Sequence, residues 1–244
     1  MSRGVVLITG ASAGLGEEMA RQFAALGYDL ALCARRVDRL AKLAAELPTR
    51  VVVRPLDVTD DDAVFTVFRE FAAELGRIDR VVVNAGLGKG APLGTGRPDA
   101  NRETARVNFL GALAQTEAAL EIFRAQQRGH LVIISSMSAL RGMRRSMTTY
   151  AATKAGVAAL AEGLRSERIP GVDVSVIYPG YIRSEMNEHV RQKTPFMVDT
   201  VTGVRAMVAA IEKRKAKAYV PAWPWVPIGA AMRLLPLSVV RRLA

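Results

Sequence analysis

Cysteine and histidine are nearly absent from this sequence: Cys33, His130 and His189 are the whole supply. A single cysteine excludes an internal disulfide and suits a reducing compartment. Cys33 lies in an apolar stretch and reads as a buried, inert thiol. Three such residues are too few to build a zinc site, so no bound metal is expected. Aromatic residues are scarce as well, at 6%, and no basic cluster is interleaved with them, which argues against a nucleic-acid-binding module. No apolar run reaches the roughly 18–20 residues needed to cross a bilayer. Met1-Ser2-Arg3-Gly4 passes at once into an apolar run and a glycine turn, a poor secretory signal. The expectation is therefore a cytoplasmic protein, peripheral to a membrane at most.

What is present is apolar bulk and positive charge. Half of the residues are apolar (50%), so a packed globule is expected rather than disorder. Lysine and arginine number 34 against 23 acids, for a net charge of +11. Such a surplus suits an acidic lipid surface, an acidic carrier protein or a phosphorylated cofactor, or it is simply a solvated basic surface. The chain shows no linker, composition break or internal repeat. Residues 1–244 read as a single domain, with 222–244 an apolar C-terminal extension.

The period of the apolar pattern alternates along the chain. Short apolar runs at 5–8, 30–34, 51–53, 81–83, 131–134 and 172–178 read as strands, and 219–220 adds a seventh. Helical spacing occupies 15–26, 37–47, 60–75, about 101–128, 149–168 and 201–215. Continuous apolar strands alternating with helices predict an α/β fold, a doubly wound Rossmann-type parallel sheet with helices on both faces.

The first strand leads into Thr9-Gly10-Ala11-Ser12-Ala13-Gly14-Leu15-Gly16 and then a helix. Glycine permits the tight turn and close backbone approach that a pyrophosphate needs at a helix N-terminus. Gly10, Ser12, Gly14, Leu15 and Gly16 are candidate cofactor contacts; an ordinary glycine-rich connection is the alternative. The second strand ends Cys33-Ala34-Arg35-Arg36, with no acid to take a ribose hydroxyl. Arginine matches a 2′-phosphate, so Arg35 and Arg36 favour NADP(H) over NAD, with Arg36 expected to be the more solvated of the two. Asp57 and Val58 follow the third strand, where the carboxylate suits an adenine amine or a turn. Asn84, Ala85 and Gly86 follow the fourth, at the edge where ligands bind such sheets.

Ser135-Ser136 follows the fifth strand, and Tyr150 and Lys154 stand farther along, four residues apart on one helix face. A neighbouring ammonium stabilises phenolate, so Lys154 is expected to lower the pKa of Tyr150 towards neutrality.

Taken together, Thr9 to Gly16, Asp57, Asn84 to Gly86, Asn108, Ser136, Tyr150, Lys154 and Pro179-Gly180 resemble the classical short-chain dehydrogenase/reductase family, in order from about Val5 to Met186. The resemblance implies a sheet of about seven strands, a nicotinamide cofactor and a homodimer or homotetramer. It implies catalytic roles for Asn108, Ser136, Tyr150 and Lys154. Tyr150 would be the general acid or base, and Lys154 would hold the nicotinamide ribose. Ser136 would bond the substrate oxygen, and Asn108 would hold a helix irregularity and a water. Pro179, Gly180, Ile182 and Ser184 would pack on the nicotinamide. The Ser136-to-Tyr150 gap is one residue longer than is usual in the family; the extra residue is placed around Met143-Arg144-Arg145, with Ser138 as the alternative serine. Ser184 replaces a more usual threonine.

Arg141, Arg144 and Arg145 could receive an acidic substrate or lie solvated. The tail from Tyr219 to Ala244 carries both tryptophans and no acid. It reads as a lid or oligomer contact, a membrane-surface segment, or plain core. The leading reading is an oxidoreductase moving a hydride between NADP(H) and an apolar, lipid-like ketone or alcohol. The pocket would be shaped by Glu185 to Val201 and the tail. The alternatives are 3-oxoacyl-carrier-protein reduction and a non-catalytic NADP-binding sensor. Extended-branch epimerases need a substrate domain that this length does not supply.

Overall fold

The computed structural model describes residues 2–187 and 195–243. Seven parallel strands form one sheet: β1 Val5–Thr9, β2 Asp29–Ala34, β3 Val51–Pro55, β4 Arg80–Val83, β5 Gly129–Ile134, β6 Val172–Pro179 and β7 Lys217–Val220, in the order β3-β2-β1-β4-β5-β6-β7. All residues of β1, β4 and β5 are buried, as strands covered on both faces must be. One face is covered by α3 (Asp61–Leu75), α5 (Gly111–Gln126) and α6 (Met147–Glu167), whose Phe68, Phe71 and Phe123 are fully buried. The other is covered by α1 (Gly14–Ala25), α2 (Val37–Glu46) and α7 (Thr200–Glu212), with Met19, Phe23 and Leu40 inside. The sheet is the Rossmann-type arrangement expected from the alternating pattern.

Two segments differ from the sequence reading. The single helix expected over about 101–128 is two helices, α4 (Pro98–Ala105) and α5, joined by a π-helical turn at Arg106–Leu110. Periodicity cannot reveal one inserted residue, because it rotates the apolar stripe without breaking it. The tail forms α8 (Ala222–Leu234) and α9 (Leu237–Leu243). Its prolines and short period concealed them. Trp225 and Val240 are buried while Trp223 is 78% exposed, so the two tryptophans have opposite environments.

Strand order reverses between β1 and β4, and the crossovers diverge there, which opens a crevice at the carboxyl ends. The opposite ends are held by a buried polar cluster. Arg80 donates from Nη1 to Glu212 at 2.6 Å and from Nε to Nδ1 of His130 at 3.0 Å. With Nδ1 accepting, the His130 proton is assigned to Nε2, which lies 2.8 Å from the Ser175 hydroxyl. Burial, then the charges of Arg80 and Arg214, push the His130 pKa down to about 3.

That depression makes stability depend on pH. Above the ordinary value of 6.5 the imidazole is neutral in both states; below it the unfolded chain takes the proton first. Stability should fall from pH 6.5 towards 3, at a limiting slope of about 1.4 kcal/mol per pH unit from this residue. His130→Gln should flatten the slope between about pH 6.5 and 5, where carboxylates contribute little. Urea unfolding of both proteins across that range checks this, and parallel slopes would disprove it.

Candidate active site

β1 delivers its chain to Gly10 at φ +64°. A Cβ there would lie 2.8 Å from the Ala85 Cα, and one at Gly16 would lie 2.4 Å from the Gly10 carbonyl oxygen. Both positions therefore need glycine. Asn84 and Ala85 donate their backbone N–H groups to the Thr9 hydroxyl at 3.1 and 3.0 Å. The Asn84 side chain donates to the Thr9 carbonyl at 2.9 Å. Asn84 thus ties the end of β4 to the glycine turn. The N-cap of α1, Ala13, has no side-chain bond to the first turn. Its N–H groups face the crevice, where an anion would satisfy them.

The crevice encloses about 610 Å³. Every cofactor and catalytic candidate from the sequence lines it except Asn108. Asn108 sits in the π-helical turn and is 1% exposed. Its Oδ1 accepts from the Leu87 N–H at 2.8 Å, and its Nδ2 donates to the Leu87 carbonyl at 2.9 Å. It fixes the loop after β4 from behind. The helix irregularity implied for it is present.

At the end of β2 the two arginines differ from expectation. Arg35 is the more solvated, with its side chain 68% exposed and Nη1 4.0 Å from Asp57. Arg36 is the better placed. Its Nε donates to the Ser12 hydroxyl at 3.3 Å, and its Nη1 and Nη2 donate to the Glu185 carboxylate at 3.0 Å each. Arg36 is also the N-cap position of α2, which turns its side chain back over the glycine loop. Asp57 accepts from the Thr59 N–H and hydroxyl. Burial pulls its pKa up, but those bonds and Arg35 outweigh it and hold the carboxyl below the ordinary range.

Ser136 follows β5, and Tyr150 and Lys154 come from the start of α6. Lys154 is 7% exposed, donates from Nζ to the Ile134 carbonyl at 2.9 Å, and lies 5.9 Å from the Tyr150 ring centre. Burial pushes its pKa down to about 8. Burial pushes the Tyr150 phenol up, opposed by its hydrogen bond with Ser136. The expected lowering of Tyr150 by Lys154 is therefore corrected. The ammonium is turned to a backbone carbonyl, and desolvation dominates the phenol. Ser138 is buried away from the crevice and donates from its hydroxyl to Ser136 at 2.9 Å, so Ser136 is the serine at the crevice wall. A loop at 141–146 separates the short turn Met137–Leu140 from α6.

β6 ends at Pro179, and Gly180 lies flat against Trp225: a Cβ there would stand 2.0 Å from the indole. Ile182 is buried, and the Ser184 N–H donates to Asn187 at 2.9 Å. Of the segment expected to shape the pocket, Glu185, Met186 and Asn187 line the crevice. Residues 188–194, His189 among them, lie outside the described residues. Sequence reasoning passed over Trp225 and Leu87 as site residues. The tryptophan-rich tail was a signal, but nothing in its spacing told the buried Trp225 from the exposed Trp223.

The sequence profile of the short chain dehydrogenases matches residues 4–195. An uncharacterized oxidoreductase of Mycobacterium tuberculosis is 50% identical over 250 residues, covering 100% of this chain and 98% of that protein. Among solved structures, an alcohol dehydrogenase from Thermococcus sibiricus complexed with 5-hydroxy-NADP is 28% identical with a TM-score of 0.78, covering 88% of this chain and 95% of that one. A short-chain dehydrogenase/reductase from Burkholderia phymatum in complex with NAD shares the fold at a TM-score of 0.85 and 20% identity, over 99% of this chain and 95% of its own. The chain belongs to the short-chain dehydrogenase/reductase family of oxidoreductases.

Proposed function

We propose that this oxidoreductase works with NADP(H) and interconverts an apolar, lipid-like ketone and its alcohol. One observation carries the reading. A single crevice brings the uncapped end of α1, two arginines where an acid would favour NAD, and the Ser136–Tyr150–Lys154 group together. The residues fit the cofactor: a Cβ at Gly10 or Gly16 would collide with the turn that cradles a pyrophosphate. Arg35 and Arg36 would hold the 2′-phosphate, and Lys154 has two protons left for ribose hydroxyls beyond the one given to Ile134. When bound, NADP(H) supplies or accepts the hydride.

The chain's own groups handle the oxygen. Ser136 orients the substrate carbonyl, and Tyr150 gives it a proton in reduction or takes one in oxidation. A phenol kept protonated by burial suits the acid role. Gly180, Ile182 and Ser184 shape the nicotinamide side of the crevice, and Met186 adds apolar surface to it. The long apolar tail favours a free apolar compound over a carrier-bound acyl chain. Tyr150 and Lys154 together favour an enzyme over a silent sensor. A dimer or tetramer is the proposed assembly, with the small side chains exposed on α6, at Ala152, Ala155, Ala159 and Gly163, allowing close helix contact.

The tail supports a second, peripheral contact. The outward side of α8 and the start of α9 present Trp223, Val226, Leu234 and Leu237, with Leu234 84% exposed. Arg233 is the charge on that side, and no acid occurs from Tyr219 to Ala244. Among the described residues no helix is long and apolar enough to cross a membrane. An apolar face beside a cation and free of acids suits the surface of an anionic bilayer.

Three measurements test these readings. Tyr150→Phe should lower ketone reduction by about 10²–10⁴-fold with NADPH affinity nearly unchanged; undiminished turnover would remove Tyr150 from the chemistry. Arg35→Ala should weaken NADPH by about tenfold or less and NADH hardly at all, and equal losses in fluorescence titration would refute the phosphate contact. For the tail, Trp223→Ser with Leu234→Ser leaves Trp225 on Gly180 and should release the protein from anionic vesicles in sedimentation. A wild-type protein that ignores such vesicles would end the membrane reading.

A further inference from the structure

The turn Glu185–Asn187 crosses the crevice from one rim to the other. At one end the Glu185 carboxylate accepts from both Nη atoms of Arg36 at 3.0 Å and from Arg39 at 3.2 Å. At the other end Met186 packs on the loop after β4, where a Cβ on Gly88 would lie 3.1 Å from its Cγ. Asn187 braces the turn, accepting from the Ser184 N–H at 2.9 Å and donating to the Ile182 carbonyl at 2.7 Å. Glu185 thereby occupies the two forked donors of Arg36, while the third donor, Nε, reaches Ser12 in the glycine turn.

We infer that Glu185 is a specificity-determining residue: a latch that occupies Arg36 until a nucleotide 2′-phosphate displaces it. The inference rests on the NADP(H) reading above. A guanidinium has two bidentate edges, and carboxylate and phosphate fit either in the same way. The Nε edge of Arg36 is taken up at Ser12, so the Nη1/Nη2 pair is the one a phosphate would use. Both anions cannot take that pair at once. A 2′-phosphate carries more charge than a carboxylate and displaces it; a ribose hydroxyl is neutral and does not. NADPH therefore frees Glu185 and loosens the turn over the crevice, whereas NADH leaves the latch shut. Asp38 and Glu17 also act on Arg36 electrostatically, and Arg39 adds a second cation to the latch. Arg36 and Glu185 are 43% and 45% exposed, so their pair is weak enough for a ligand to break.

The test is titration of the full chain with NADPH and NADH, as wild type, Glu185→Gln, Arg36→Ala and the double variant. Glu185→Gln should bind NADPH about two- to fivefold more tightly, with NADH unchanged. The gain should shrink at high salt and vanish in the Arg36→Ala background. Unchanged or weaker NADPH binding overturns the latch. So does an equal gain for both nucleotides, which would mean that Glu185 merely repels the pyrophosphate. A wild type that prefers NADH overturns the NADP(H) reading and the latch with it, and is distinguishable because it does not depend on any variant. Far-UV circular dichroism on each variant separates misfolding from altered binding.

Discussion

The approach of two backbones at the ends of β1 and β4 is the constraint on which the rest depends. Gly10 and Gly16 have no room for a side chain, and Thr9 and Asn84 stitch the two ends together. That contact sets the direction of α1 and leaves its first turn without a side-chain cap. It also holds the loop 84–87 against Asn108 and Lys154: a Cβ on Gly86 would meet Asn108 Oδ1 at 3.3 Å and Lys154 Nζ at 3.5 Å. The glycine-turn end of the crevice and the end that holds Tyr150 and Lys154 are thus braced by one set of short contacts.

Burial gives the site its electrostatic character. Lys154 is held in a nearly dry position with a backbone carbonyl as partner, and its pKa drops to about 8. Tyr150 is shifted the other way by the same desolvation. Lys154 Nζ lies 5.9 Å from the Tyr150 ring centre and donates to the Ile134 carbonyl, and burial is the largest influence on the phenol. Charge at the opposite rim is arranged differently. Arg35, Arg36, Arg39, Asp57 and Glu185 are all substantially exposed, so their pairing is weak and exchangeable. A buried wall carrying Tyr150 and Lys154 therefore faces an exposed, charged rim.

The tail joins these two regimes. Trp225 packs against Gly180 at the end of β6 and belongs to the core, while Trp223 and Leu234 are turned to solvent. The helix α8 thus has one side on the sheet edge and apolar side chains turned outward. The loop carrying Arg141 is tied to the same helix, because its guanidinium donates to the Leu235 carbonyl at 3.1 Å.

Much of this was legible in residue order alone. Strands buried on both faces demand continuous apolar runs, and helices demand a period near 3.6, so the alternation at residues 5–8, 15–26 and onward determined the fold class. Glycine at 10, 14 and 16 and the i, i+4 spacing of Tyr150 and Lys154 are local features, because their chemistry depends on the backbone nearby. The remainder depended on contacts between residues far apart in the chain. Arg36 rather than Arg35 turns towards the glycine loop, and there it pairs with Glu185, 149 positions farther along the chain. The direction of the Tyr150 shift is decided by how much of the sheet and loops covers it. Which tryptophan is buried is decided by the absent side chain of Gly180. Local pattern determines what each segment becomes; desolvation and pairing depend on what the folded chain places around it, and only the tertiary structure decided those.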